Sequence, residues 1–384
     1  MDYKTQVELF KSKKHRDSSS LPFSVEEWEE RARELLPEQN YDYIAAGAGS
    51  GDTMNANLEA FKRWRIQPRM FCDVSRRDIS VSLFGQTFAS PILIPPVGAQ
   101  TIAHPQGDLA SAKAAASLGV PYICSTASAY SLEEIAGVMG DAARWFQLYW
   151  SKDPELSASL LKRAEAAGYS AIVITLDTAM IGWRERDLRH GWLPFLEGIG
   201  IANYTSDPVF RSKCPCPPEE DLEAAGTVFR EVFGNPSLTW KDLAFVREHT
   251  RLPILLKGIL DPRDAELALH YGVDGLIVSN HGGRQVNGAI AALDALPRVA
   301  EVAAGKVPVL MDSGIRRGDD VLKALALGAS AVLIGRQFLY GLAVAGEEGV
   351  RTVLRNLISD FEVTMALSGV CSAAEIDRSI LFRV

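Results

Sequence analysis

The chain has few of the features that would assign it quickly. Cysteine is scarce: Cys72, Cys124, Cys214, Cys216 and Cys371 are odd in number and scattered over 384 residues, which excludes a disulfide framework. Cys214-Pro215-Cys216 reads as two thiols in a loop, with a redox or metal feature as the alternative. Histidine is rare too, six in all, and no H-x-x-x-H or paired CxxC spacing offers a metal site. No stretch of about 18 apolar residues suggests a membrane span. The first 20 residues are polar and end in Ser18-Ser19-Ser20, without the apolar core of a secretory signal, so a reducing cytoplasm is the expected location. There is no basic excess: the net charge is −8, which argues against a nucleic-acid footprint. Local arginines can still bind an anionic small molecule.

What is present is ordinary globular composition, 47% hydrophobic and 23% charged, and a rhythm. Residues 1–20 read as a flexible polar arm, and the Lys11–Arg16 run and His104 as surface features. Ser24 with Glu27 three residues on is a capping-box pattern opening a helix over 24–36. From residue 91, apolar runs at 92–97, 121–125, 145–149, 171–177, 253–257, 275–280, 307–312 and 331–335 alternate with Ala/Leu/Glu-rich stretches such as 154–167, 262–271 and 319–327. Eight strand-then-helix units imply parallel strands buried on both faces, the number that closes a TIM (β/α)8 barrel. The fold class expected is therefore α/β, with residues 21–384 as one domain. Residues 178–238, between the fourth and fifth strands, exceed any ordinary connection and suggest a lid. Trp192, Phe195 and Tyr204 in it either line a pocket or pack the loop onto the barrel.

In such barrels chemistry sits where strands end. Tyr149, Asp177, Lys257, His281, Asp312 and Arg336 close the third to eighth strands and would converge at one mouth. In Ser279-Asn280-His281-Gly282-Gly283-Arg284-Gln285, paired glycines admit a close ligand, the histidine can act as a base, and Arg284 can grip a carboxylate. Gly314, Arg316, Gly335 and Arg336 follow the last two strands, where barrels often bind phosphate. Gly47-Ala48-Gly49-Ser50-Gly51-Asp52 fails as a dinucleotide motif, because its third glycine position is Asp52 and it follows a helix-like segment.

With those residues together, the chain resembles the FMN-dependent family that oxidises L-2-hydroxy acids, over about residues 21 to 370. The motifs are FQLYW at 146–150, LKGI at 256–259, SNHGGRQ at 279–285 and DSGIRRG at 312–318. ANLEAFKRW (56–64), VITLDT (173–178), GWRERDL (182–188) and NYTSDPVF (203–210) are similar to its lactate 2-monooxygenase subgroup, as is the small Gly98. The resemblance implies FMN as cofactor, a small 2-hydroxy acid and O2 as partners, and a homotetramer or homo-octamer. It implies His281 as active-site base, supported by Asp177, with Arg284, Arg184 and Tyr43 on the substrate carboxylate and Tyr149 near the substrate oxygen. It implies flavin contacts from Pro96, Val97, Gly98, Ala99, Ser125, Gln147, Thr175, Lys257 and Ser279, and ribityl or phosphate contacts from Asp312, Gly314, Arg316, Gly335 and Arg336. The expected product is acetate with CO2 and water from lactate, a plain oxidase and a quinone-linked dehydrogenase being the alternatives.

Overall fold

In the structure, a computed structural model, the described residues are Val7, Phe10 and residues 21–384. The Lys11–Arg16 run and the rest of the expected arm lie outside them. All eight expected strands form. They are β1 (Ile92–Leu93), β2 (Tyr122–Ser125), β3 (Arg144–Leu148), β4 (Ile172–Thr175), β5 (Ile254–Ile259), β6 (Gly275–Val278), β7 (Val309–Met311) and β8 (Ala331–Leu333). They make one parallel sheet in the order β1-β8-β7-β6-β5-β4-β3-β2. A parallel bridge between Ile94 and Tyr122 joins β1 to β2 and closes the cylinder.

The apolar runs are continuous because both faces of each strand are buried. Leu93, Ile123, Trp145, Val173, Leu255, Ile277 and Leu310 fill the interior, while Ile92, Cys124, Phe146, Ile174 and Leu256 pack outward in the larger cluster with the helices. The interior is closed at the strands' N-terminal end by an antiparallel hairpin, Val81–Leu83 with Gln86–Phe88, which had no sequence signal. Its Phe84 and Phe88 meet Trp145 edge-on at 5.5 and 6.4 Å.

The strands stop earlier than the apolar runs suggest. Asp177, His281, Asp312 and Arg336 lie just beyond the last ladder pairs, Asp177 and Asp312 on connecting turns, His281 at the start of a short 3-10 turn and Arg336 at the first position of a helix. Lys257 is the exception, inside β5 where the register slips between Lys257 and Ile259.

The helix expected at 24–36 spans Val25–Leu35 with both arms of its capping box formed by Ser24 and Glu27. Its buried Trp28 and Ala32 face the long helix Arg336–Leu367. The segments 154–167, 262–271 and 319–327 appear as Pro154–Ala166, Pro262–His270 and Gly318–Ala326. The first two start with Asp153 and Asp261 caps and proline in the first turn, the arrangement that satisfies orphan N–H groups best. Near the ends of the described chain, Trp64–Ile66 pairs antiparallel with Leu381–Arg383.

The 178–238 segment is a set of short helices, Glu185–His190, Ala202–Thr205, Pro208–Arg211 and Leu222–Val232. One buried hub ties it down. Arg163 bonds Asp207 (2.9 Å), the carbonyl of Asn203 (2.8 Å) and Glu133 (2.9 Å), and Asn203 donates to the carbonyls of Ser125 and Thr126. The three aromatics divide between the two expectations. Tyr204 is fully buried against Phe210 and Phe229, Trp192 stands edge-on to Tyr43 at 6.0 Å, and Phe195 faces the barrel mouth. Among the described residues no helix is long and apolar enough to cross a membrane.

Candidate active site

The mouth at the C-terminal ends of the strands opens into a cavity. It is lined by Tyr43, Pro96, Val97, Gly98, Ala99, Tyr149, Arg184, Lys257, His281, Arg284, Asp312, Gly314, Arg316, Gly335 and Arg336. Fifteen residues singled out in the sequence thus share one space. Ser125, Gln147, Thr175, Asp177 and Ser279 are not part of that lining; Asp177 and Ser279 bond residues that are, and Thr175 pairs with Lys257 across the strands. The Ser125 hydroxyl donates to Gln147 Oε1 at 3.1 Å, and Ser279 Oγ accepts from Lys257 Nζ at 2.8 Å and from the His281 N–H at 3.0 Å.

His281 is placed by strain and by a carboxylate. It holds φ 58°, an unusual value for a residue with a side chain. Gly282 follows at φ 65° and Gly283 at φ 76°, and a side chain on Gly283 would collide with the backbone of Met54 at 2.5 Å. Close packing against the 47–54 segment explains the glycines there and needs no nucleotide. His281 Nδ1 lies 2.8 Å from Asp177 Oδ1, and Thr178 Oγ1 donates to the same carboxylate oxygen at 2.9 Å. Burial pushes the Asp177 carboxyl up, but the imidazole and the Lys257 ammonium outweigh it and hold the group at about 2. An ionised partner fixes hydrogen on Nδ1 and leaves Nε2 as the free base. Burial lowers His281, with the Lys257 charge acting the same way and Asp177 opposing.

Lys257 is 3% exposed and lies 3.2 Å from Asp312 and 3.9 Å from Asp177. Burial lowers its pKa, yet the two carboxylates prevail and raise it, so a fixed ammonium stands at the base of the cavity.

Two arginines share the opposite side. Arg184, just before the helix Glu185–His190, donates from Nε to the carbonyl of Arg284 at 3.1 Å and from Nη2 to Gln285 Oε1 at 3.2 Å. Asp187 lies 3.9 Å from it. Arg284 donates to the carbonyls of Tyr43 and Ala46 and stacks on the Tyr43 ring at 4.9 Å. Burial first, then the Arg184 charge, lower Arg284 to about 9. Two buried guanidiniums with little anionic compensation are costly unless an anion completes the set. Arg336 donates to the carbonyls of Ile44, Ala46 and Gly282, so its guanidinium is spent largely on fixing the 44–46 turn. Arg316 Nη1 has the carbonyl of Ile315. Gly335, the N-cap of the helix Arg336–Leu367, brings no side chain to its capping position.

The apolar wall is the part that sequence reasoning missed. Phe233 meets Tyr149 edge-on at 5.3 Å and stacks beside Phe195, with Ile181 and Ala127 completing that side. Burial, then the Asp177 charge, push the Tyr149 phenol up to about 12. Outside the cavity, Asp42 joins the Tyr43 helix to the Arg184 helix through Arg186 (2.8 Å) and His190 (2.9 Å). With Glu38 these form a group spaced as metal ligands are, though the Arg186 charge already occupies the carboxylate.

A parallel eight-stranded barrel with a histidine–carboxylate pair, a buried lysine and paired arginines at its mouth is a barrel enzyme built for a small carboxylate. Residues 32–383 match the family model described as FMN-dependent dehydrogenase. An L-lactate oxidase of Lysinibacillus sphaericus is 46% identical over 92% of this chain and 90% of its own length. One from a Nostoc species is 44% identical over 94% and 98%. A crystal structure of mandelate oxidase superposes with a TM-score of 0.84 at 40% identity, covering 95% of this chain and 99% of that one. The chain belongs to the FMN-dependent dehydrogenase family and is an FMN-dependent oxidoreductase of 2-hydroxy acids.

The residues present fit that cofactor. Gln147 Nε2 and Thr175 Oγ1 are buried without a hydrogen-bond partner, and such orphans call for a polar group in the adjoining space. The Lys257 ammonium and the uncapped Gly335 turn supply cationic and N–H donors for an anionic flavin edge and a phosphate.

Proposed function

We propose that this chain oxidises a lactate-sized L-2-hydroxy acid with O2 as electron acceptor and releases the 2-keto acid and hydrogen peroxide. The observation that carries the reading is a free imidazole base, braced by Asp177 at 2.8 Å, sharing one cavity with Arg184 and Arg284. Arg184, Arg284 and the Tyr43 phenol hold the substrate carboxylate. His281 Nε2 accepts the proton as the alcohol is oxidised, Asp177 stabilises the resulting imidazolium, and Tyr149 bonds the substrate oxygen. FMN, when bound, supplies a two-electron acceptor that O2 re-oxidises. Its ring is held by Pro96, Val97, Gly98, Ser125, Gln147, Thr175, Lys257 and Ser279, and its ribityl phosphate by Asp312, Gly314, Arg316, Gly335 and Arg336. Phe195, Phe233 and Ile181 leave an apolar recess for a short side chain.

Release of the keto acid is favoured over retention by the loop that retention relied on. The mandelate oxidase superposition covers 95% of this chain, which supports reading the 178–238 segment as shared with an oxidase rather than as a special lid. The small Gly98 supports the second reading, oxidative decarboxylation within the site as in lactate 2-monooxygenases. Aerobic turnover of L-lactate tests both. Equal amounts of pyruvate and peroxide are expected; acetate and CO2 without peroxide transfer the chain to the monooxygenase reading. Indifference of turnover to O2 removes both in favour of a quinone-type acceptor. His281→Gln is expected to keep its flavin yet resist bleaching by L-lactate.

A further inference from the structure

Gln285 closes the SNHGGRQ motif, and none of the chemistry above uses it. Its side-chain amide is half-buried and completely engaged. Nε2 donates to the carbonyl of Asp177 at 2.6 Å and to the carbonyl of Met180 at 2.9 Å. Oε1 accepts from the Gly182 N–H at 3.1 Å and from Arg184 Nη2 at 3.2 Å. One side chain on the loop after β6 therefore fastens the first turn of the segment after β4, passing over β5 between them. The approach is close: a Cβ on Gly182 would stand 2.5 Å from the Arg284 carbonyl oxygen and 2.6 Å from that of Gln285.

We infer that Gln285 is a positioning residue that aims Arg184 into the cavity through a neutral acceptor, and that its neutrality is what keeps the Arg184 charge available to the substrate. The inference rests on the reading that Arg184 holds the substrate carboxylate. The two carbonyls require two donors at one nitrogen, and the N–H and guanidinium require an acceptor on the same planar group; a primary amide alone among side chains offers that set. Glutamate keeps the shape but would turn an oxygen toward two carbonyl oxygens. It would also place an anion on Arg184, where it competes with the substrate for the same guanidinium. Leucine keeps bulk but frees the loop. Asparagine falls one methylene short of the span. Asp187, 3.9 Å from Arg184, is too distant to substitute.

The test uses holoenzyme and 2-hydroxy-2-methylpropanoate, a carboxylate with no C2 hydrogen to lose, whose binding is followed through the flavin absorbance. Gln285→Leu is expected to weaken binding about tenfold and Gln285→Glu further, both with normal flavin content. Gly182→Ala, which pushes the same loops apart at the Arg284 and Gln285 backbone and leaves the Gln285 side chain in place, is expected to give the same signature and serves if either Gln285 variant fails to fold. Arg184→Lys is expected to weaken binding as well, and adding Gln285→Leu to it is expected to cost nothing more, because both act through one guanidinium. Additive losses in that cycle, or Gln285→Glu binding as tightly as Gln285→Leu, overturn the inference. An Arg184→Lys variant that binds like the parent removes the carboxylate reading itself, and the inference with it; a weakened Arg184→Lys beside unaffected Gln285 variants removes the inference alone.

Discussion

Replacing Asp177 by asparagine keeps the size of the side chain and deletes one charge. The carboxyl is held at about 2 against its ordinary 3.8, and at about 1.4 kcal/mol per unit its surroundings favour the charged form by roughly 2.5 kcal/mol. The favour is reciprocal, so the same charge stabilises its cationic neighbours. It is divided between the imidazole at 2.8 Å and the ammonium at 3.9 Å, the imidazole having the larger share. An asparagine would still accept from Nδ1 through its oxygen, but its NH2 would then face Lys257 where Oδ2 now has no hydrogen bond. If 1.5–2.5 kcal/mol of that stabilisation is expressed as a proton reaches His281, the oxidation step slows by about 10- to 70-fold. Anaerobic stopped-flow mixing with L-lactate reads this step directly as loss of flavin colour. The concentration giving half-maximal rate is expected to change little, because Arg184 and Arg284 are untouched. Reduction within threefold of the parent, at equal flavin content, refutes the assignment of Asp177 as the partner of the base.

Other consequences are open to measurement. Asp108 is buried, and no cation stands beside it among the described residues. Desolvation raises its carboxyl to about 7, against the pull of the Ala129 N–H and the Tyr122 phenol. A folded-state value above the unfolded 3.8 means the folded chain binds more protons between those limits, so this group costs stability as pH rises, at up to about 1.4 kcal/mol per pH unit. Asp108→Asn is expected to match the parent Tm near pH 4 and exceed it at pH 8; parallel pH profiles count against the reasoning. Arg163→Leu leaves Asp207 buried without its cation and is expected to lower urea stability by about 3 kcal/mol, whereas a loss under 1 kcal/mol means the hub does not anchor the 178–238 segment. Phe195→Ala opens the apolar recess and is expected to raise kcat/KM for 2-hydroxyoctanoate relative to lactate by at least tenfold, with an unchanged ratio placing the recess elsewhere.

The barrel was legible because parallel strands buried on both faces write unbroken apolar runs, and because Asp153-Pro154 and Asp261-Pro262 announce helix starts. The site was legible for a related reason: polar residues such as Asp177, His281 and Asp312 interrupt those runs where the ladder ends. Long-range pairings were invisible. Nothing local in Val81–Phe88 tells of a seat against Trp145, nor in Trp64–Ile66 of a partner at Leu381–Arg383. Phe233 stayed hidden because it follows the last turn of the helix Leu222–Val232, and nothing local places that helix end against Tyr149. The 47–52 glycines fail the spacing of a nucleotide motif, and only coordinates show that they let the chain pass beside Gly283.

The hairpin that seals the base of the cylinder has a consequence for traffic. With Phe84 and Phe88 seated against Trp145 like a stopper and side chains filling the space above them, that end of the cylinder is plugged, and the cavity lies at the opposite end. Shaving the stopper, for instance by replacing Phe84 with glycine, would leave a void beneath Trp145 and cost stability, while the layers of side chains above it still shut water out of the mouth from below.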